Sequence, residues 1–191
     1  MKKSPSILVL TLILGGLSII LAVSVFFVNS ITSPIVESSE IQTEKDAFKE
    51  VVPEATDFVD VTEKAGDDPA ILEVFEAIDG NDTIAYVYVV STVGYADAIE
   101  NLVAFDTDTN TIRAIKILKQ SETPGLGARA SEPEFQDQFQ GLAASTISVV
   151  KNGADAKNNE IDAITASTIT SKAVTKGVNI AIDDFTENFS K

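Results

Sequence analysis

Apolar positions fall into three regimes along this chain. From Ile7 to Val28 they form an uncharged run of 22 residues. At about 1.5 Å per helical residue the run reaches roughly 33 Å, enough for a bilayer core of about 30 Å. Between Phe58 and Val150 they come in short alternating bursts, the period of strands. Near the C-terminus Val174, Val178, Ile182, Phe185 and Phe189 recur at steps of four, four, three and four, one face of a helix.

Within that frame the pattern predicts individual elements. Thr43–Val52 reads as a short helix ended by Pro53, after a polar stretch from Ser30 to Glu40 that contains Pro34. Strands are expected at Phe58–Thr62, Ile71–Ile78 and Thr83–Val90, the last two joined by Asp79-Gly80-Asn81-Asp82, a hairpin signal. Tyr86, Tyr88 and Val90 alternate with Ala85, Val87 and Val89, so this strand should be covered on both faces. Asn101–Asp106 and Thr111–Leu118 form a second expected hairpin. Glu132–Phe139 reads as a short helix with Ser131 as cap and Pro133 in its first turn, and Thr146–Val150 as a strand. Asp183, Asp184 and Glu187 are expected on a solvated face of the last helix.

Domain organisation follows: residues 1–30 as a transmembrane anchor, 31–42 as a linker and 43–191 as one domain. Lys2 and Lys3 favour a cytoplasmic N-terminus and a domain on the far side. A cleaved signal peptide is the rival, with Ala22-Val23-Ser24 as cleavage site; Val25-Phe26-Phe27-Val28 continue apolar past it and favour the anchor. Thr11, Gly15, Ser18 and Ala22 stripe one helix face with small residues. Such a stripe lets another membrane helix approach closely, or is incidental to a lone anchor.

Composition narrows the chemistry. The chain has neither Cys nor His. Thiolate iron–sulfur clusters, His-ligated haem and ordinary zinc sites are therefore excluded, and no metal site is expected. Cys/His or Ser/His/Asp catalysis is excluded with them, and no catalytic residue is assigned. Any redox chemistry must be carried by an organic cofactor. All 29 acidic residues lie after residue 30 with 12 of the 14 basic ones, leaving −17 there, which argues against a nucleic-acid partner.

Two stretches stand out chemically. Asp162 to Ser171 (DAITASTITS) holds five hydroxyls in ten residues, where the last helix begins. Helix N-termini leave N–H groups without partners and favour anions, so the cluster suits a phosphate. Read from the residues alone, Ser167 or Thr168 as a simple helix cap is the commoner explanation. Glu122-Thr123-Pro124-Gly125-Leu126-Gly127 makes a tight turn that exposes backbone, and most such turns are only connections.

Together these stretches resemble the FMN-binding domain family. Asp162-x-x-Thr165-x-Ser167-Thr168 is similar to the family's flavinylation motif, Asp-x-x-Ser/Thr-Gly-Ala-Thr, with Ala166 and Ser167 in place of the usual Gly and Ala. Glu122 to Gly127 matches the family's second signature over six consecutive residues. Ala47, Phe48, Lys49, Glu50, Val51, Val52, Pro53, Glu54 and Ala55 match the opening of its domain. The resemblance implies an α+β fold, a twisted antiparallel sheet with packed helices, behind one N-terminal transmembrane helix. It implies FMN bound covalently through a phosphoester on Thr168, attached by a dedicated flavin transferase, with Thr170 as the fallback hydroxyl. Glu122, Thr123, Gly125, Leu126 and Gly127 would lie beside the flavin ring. Thr165, Ala166, Ser167, Ile169, Thr170 and Ser171 would surround the attachment point. Tyr95 could edge the ring, although a packing role is the more ordinary one for a tyrosine. The family often has His before the Glu; Ser121 stands there instead.

Within the family, the length and single N-terminal helix resemble the G subunits of Rnf-type ion-translocating complexes. The C subunits of sodium-translocating NADH:quinone oxidoreductases are the sister group. The implied role is an electron-relay subunit of a membrane ferredoxin:NAD oxidoreductase, with other membrane subunits as partners and the flavin domain outside the cytoplasm. The alternatives are a carrier of the kind those C subunits represent, a stand-alone extracellular electron-transfer flavoprotein, and a non-redox membrane-anchored scaffold.

Overall fold

The structure, a computed structural model, describes the backbone of residues 7–190; the side chains of Leu8, Leu10 and residues 28–45 lie outside the described set. The chain divides into two compact units, Met1–Thr43 and Glu44–Lys191. The first helix is α1 (Ile7–Val51). The segment 31–42, expected as a linker, is thus helical in backbone, and the helix expected from Thr43 is the end of a longer one. Pro34 alone argued for a break there; no glycine accompanies it. Leu12, Ile13, Leu14, Ile19, Ile20, Phe26 and Phe27 are all exposed along α1. Among the described residues no helix is long and apolar enough to cross a membrane; the 22-residue run expected to do so includes Leu8, Leu10 and Val28, whose side chains are outside that set.

The second unit is built on a five-stranded antiparallel meander, β1 (Asp57–Asp60), β2 (Ile71–Asp79), β3 (Asp82–Val93), β4 (Ala98–Asp106) and β5 (Thr111–Lys119), each strand pairing with the next in sequence. Thr62, expected at the end of the first strand, opens a 3₁₀ turn instead. Side-chain alternation sorts β3 and its neighbours into two faces. Val74, Tyr88, Val90, Val103 and Phe105 face one core, and Ala77, Ala85, Val87, Val89, Leu102 and Ala104 the other. The expectation of a strand covered on both sides therefore holds.

The last turns of α1 cover the second face through Ala47, Phe48, Val51 and Val52, with Phe48 edge-on to Phe58 and Phe75. The first face is covered by the long C-terminal helix α3 (Thr168–Asn188), whose Val174, Val178, Ile182 and Phe185 are buried as its spacing predicts. Phe185 stacks on Phe105 at 4.6 Å between ring centres. Between sheet and α3 the chain makes a short helix α2 (Pro133–Gln136) and a two-stranded parallel pair, β6 (Ser148–Val150) with β7 (Glu160–Asp162). Glu132, not Ser131, precedes α2, and no side chain caps it.

Asp184 departs from its expected place on a solvated face. It is 7% exposed, and its Oδ2 accepts the Tyr88 hydroxyl at 2.7 Å. Its Oδ1 accepts the Gly66 N–H at 2.5 Å and Asn188 Nδ2 at 2.8 Å. A carboxylate near a helix C-terminus is disfavoured by the dipole; three donors offset that here.

Candidate functional site

The segment leading into α3 is held by its own side chains. Ala163 N–H bonds to Val150 O at 2.7 Å and Asp162 N–H to Gln138 Oε1 at 2.7 Å, fixing the exit from β7. The Ser171 hydroxyl then accepts from Ile164 N–H at 2.9 Å and donates to Ser167 O at 3.0 Å, tying the 164–167 turn to the first helical turn. To make that turn Ala166 adopts φ 63°, the left-handed region. The position where the family usually has Gly is thus one where glycine is the comfortable residue.

Ser167 occupies the N-cap position, but its side chain makes no capping bond. Its backbone, φ −132° and ψ 43°, lies outside the extended region from which a cap reaches N2 or N3. The simple-cap explanation of the hydroxyl cluster therefore fails for Ser167. Thr168 is the first helical residue, half-buried, and its hydroxyl engages no protein group among the described residues. The leading N–H groups of α3 lack intrahelical acceptors, as at any helix start.

A pocket of about 540 Å³ opens at this point, lined by Tyr95, Glu122, Thr123, Leu126, Gly127 and Ala166 to Thr170. Its size is that of ordinary small-molecule sites. It joins the two sequence signatures, which lie on opposite sides of α2 and the β6–β7 pair along the chain. The turn after Glu122 reverses at Gly125, φ 75°, and carries Leu126 outward, 42% exposed. Ile169 is 57% exposed and Tyr95 70% exposed, so Tyr95 is a pocket-edge residue and not the packing tyrosine expected. Its sequence context, Gly94-Tyr95 between two strands, offered the signal.

Glu122 forms the inner wall. It is buried, with Oε1 accepting Tyr95 N–H at 2.7 Å and Ala96 N–H at 3.0 Å, and Oε2 accepting the Thr170 hydroxyl at 2.7 Å. Burial pushes its carboxyl up, but the bonds from Ala96, Thr170 and Tyr95 outweigh burial and hold it below its ordinary range. Gly127 packs directly on this pair: a Cβ there would fall 2.6 Å from Thr170 Oγ1.

Three expected residues do not line the pocket. Ser171 is fully buried beneath it in the stitching role above, and Gly125 supports the turn. Thr165 lines a neighbouring cleft with Arg129, Glu132 and Gln138. N–H groups at the start of α3 and a hydroxyl with no partner among the described residues lie at one end, with Leu126, Ile169 and Tyr95 at the rim, and suit a ligand with an anionic end and an apolar body.

Comparison with known proteins points the same way. The family described as "FMN-binding domain" matches residues 94–183, which include both signatures. The G subunit of the proton-translocating ferredoxin:NAD(+) oxidoreductase complex of Clostridium ljungdahlii is 41% identical over 82% of this chain and 79% of its own length. The G subunit of the Na(+)-translocating ferredoxin:NAD(+) oxidoreductase complex of Acetobacterium woodii is 39% identical over 95% of this chain and 92% of its own. Among solved structures, the C subunit of the Na(+)-translocating NADH-quinone reductase of Parabacteroides distasonis is similar with a TM-score of 0.54 at 29% identity. That match covers 62% of this chain and 63% of the other.

Proposed function

The chain belongs to the family of G subunits of ion-translocating ferredoxin:NAD(+) oxidoreductase complexes and carries an FMN-binding domain; from that premise we propose that Thr168 bears FMN through a phosphoester and that the protein relays electrons as one subunit of a membrane complex. The observation that carries this reading is the pocket that joins the Glu122–Gly127 turn to the start of α3 around a hydroxyl with no protein partner among the described residues. The residues fit the cofactor. The N–H groups opening α3 and the helix dipole receive the phosphate charge. Leu126, Ile169 and Tyr95 offer apolar surface to the ring, and Thr123 and the turn backbone offer hydrogen bonds to its polar edge. When bound, FMN supplies one- and two-electron transfer that no side chain of this chain provides.

Attachment would form a bond between Thr168 Oγ1 and the flavin phosphorus as the donor's existing P–O bond breaks; the leaving oxygen departs with its group, the threonine hydroxyl gives up its proton, and the chain gains FMN less one water, a flavin transferase performing the step. The 22-residue apolar run holds the domain at the membrane, and Lys2 and Lys3 set the domain on the extracytoplasmic side. Electron partners are then other subunits within reach of the membrane surface. The two G-subunit relatives, of nearly equal identity, belong to complexes named for different ions, protons and Na(+). A carrier resembling the quinone-reductase C subunits is the second reading, favoured by the structural likeness at 29% identity; the 41% identity to a G subunit places it second.

Intact mass of the full chain, produced with the flavin transferase and followed by peptide mapping, tests the assignment. The expected gain is FMN less one water on Thr168. Thr168→Ala should lose the covalent flavin and keep the wild-type unfolding transition. Covalent FMN persisting in that variant would sink the assignment, and an unmodified wild-type chain would favour the scaffold reading.

A further inference from the structure

The pocket contains a buried charge that the protein itself consumes. Glu122 is 6% exposed. Both its oxygens are engaged by protein donors, Tyr95 N–H and Ala96 N–H on one side and the Thr170 hydroxyl on the other. Among the described residues no Lys or Arg pairs with it. An unpaired buried carboxylate ordinarily takes up a proton; three donors aimed at two oxygens keep this one ionised. The chain closes on it from two sides. A Cβ on Gly94 would lie 2.5 Å from Oε1, and one on Gly127 would strike Oε2. The donors and the carboxylate belong to three separate segments, the 94–97 loop, the 122–127 turn and the first turn of α3, and each of these lines the pocket.

We infer that Glu122 is a positioning residue and not a flavin ligand: an ionised strut that joins the three pocket segments and whose negative charge, paired with no cation among the described residues, makes the bound flavin harder to reduce. The inference rests on the FMN site proposed at Thr168. The strut role follows from geometry, since the one Glu122 carboxylate bonds both the 94–97 loop and α3. The effect on reduction follows from charge. Each electron added to the cofactor brings negative charge into a pocket that already holds a fixed carboxylate with no cation paired to it among the described residues, and in a poorly solvated site such repulsion is weakly screened. Charge near a flavin is one of the protein's levers on its potential.

Glu122→Gln separates charge from shape. Its Oε1 can still accept from Tyr95 and Ala96, and its Nε2 can donate to Thr170, whose hydroxyl accepts as readily as it donates. The experiment is a spectroelectrochemical titration of the full-length wild type and the Gln variant, with covalent occupancy of each fixed by intact mass. The expected result is retained flavin and a higher potential, at least a tenfold shift in the reduction equilibrium, which is about 30 mV for a two-electron couple. Equal potentials in two fully flavinylated proteins overturn the inference. Wild-type protein without flavin on Thr168 overturns the site assignment itself, and this inference with it, before any variant is compared. Should the Gln variant fail to fold, amide exchange on flavin-free wild type still decides. Protection of Tyr95 and Ala96 N–H groups in their exposed loop supports the strut, and exchange at the rate of free amides overturns it.

Discussion

Ala166 sits at φ 63°, where a Cβ crowds the following carbonyl at a cost of roughly 1–2 kcal/mol. It does so one residue before the N-cap of α3, in the turn that Ser171 ties to the first helical turn. Ala166→Gly should therefore stabilise the domain. Glycine's larger unfolded-state entropy removes about 0.4–1 kcal/mol of the gain, so a net of about 0.5–1 kcal/mol is expected. Thermal unfolding of the two proteins measures it, and a melting temperature that falls would contradict the strain. Glu122 makes a prediction in pH. Its folded pKa lies below the ordinary 4.5, and that of Asp106 lies below 3.8. Burial opposes the charge at Asp106 as well, and the Thr109 and Asp108 donors with Arg113 outweigh it. A lowered folded pKa contributes stability that is complete above the unfolded value and drains as pH falls through the folded one. Denaturant midpoints should thus hold steady from pH 7 to about 5.5 and decline below about 4.5; the carboxylates named make acid, not mild alkali, the weak side.

At the scale of elements, α3 is tied to the sheet both by its apolar face and by one polar latch. The Tyr88 hydroxyl on β3 reaches Asp184 on α3, and Asp184 also holds Gly66. Tyr88→Phe keeps the ring contacts with Phe105 but leaves a buried carboxylate oxygen without its donor. A loss of about 1–3 kcal/mol is expected, read as a lower urea midpoint at unchanged slope. This latch shows where sequence reading stops. The five strands were legible to within a few residues, because alternation has a fixed period and turn residues mark its ends. The buried face of α3 was legible for the same reason at the helical period. Asp184 was not, since its partners Gly66 and Tyr88 are distant in sequence and a charged residue near a helix end reads as solvated. The backbone of α1 is helical across residues 31–42, where Pro34 and the polar composition read as a linker. In the site, both signatures were legible as motifs, and the structure joins them in one pocket. Their connection through Glu122 and Thr170 was hidden, because two polar residues far apart in sequence carry no mark of touching. Tyr95 was visible as a residue but not as an exposed one.

For the whole molecule, the meander matters more than its size. Each strand pairs with its sequence neighbour, so the sheet is built from local contacts. The net charge resides in the second unit, since Lys2, Lys3, Glu37 and Glu40 cancel in the first. A strongly negative domain docks by shape and apolar contact or against basic partners, and exposed Leu126, Ile169 and Tyr95 make the pocket rim an uncharged part of that surface. The order of elements has a consequence for biogenesis. A ribosome emits all five strands, Tyr95 and the Glu122 turn before it emits Thr168. The Thr168 hydroxyl meets the rest of its pocket only when α3 packs on the finished sheet. If Thr168 takes flavin as proposed, a transferase that reads the assembled pocket will pass over truncated or half-folded chains, and covalent flavin then marks a completed fold.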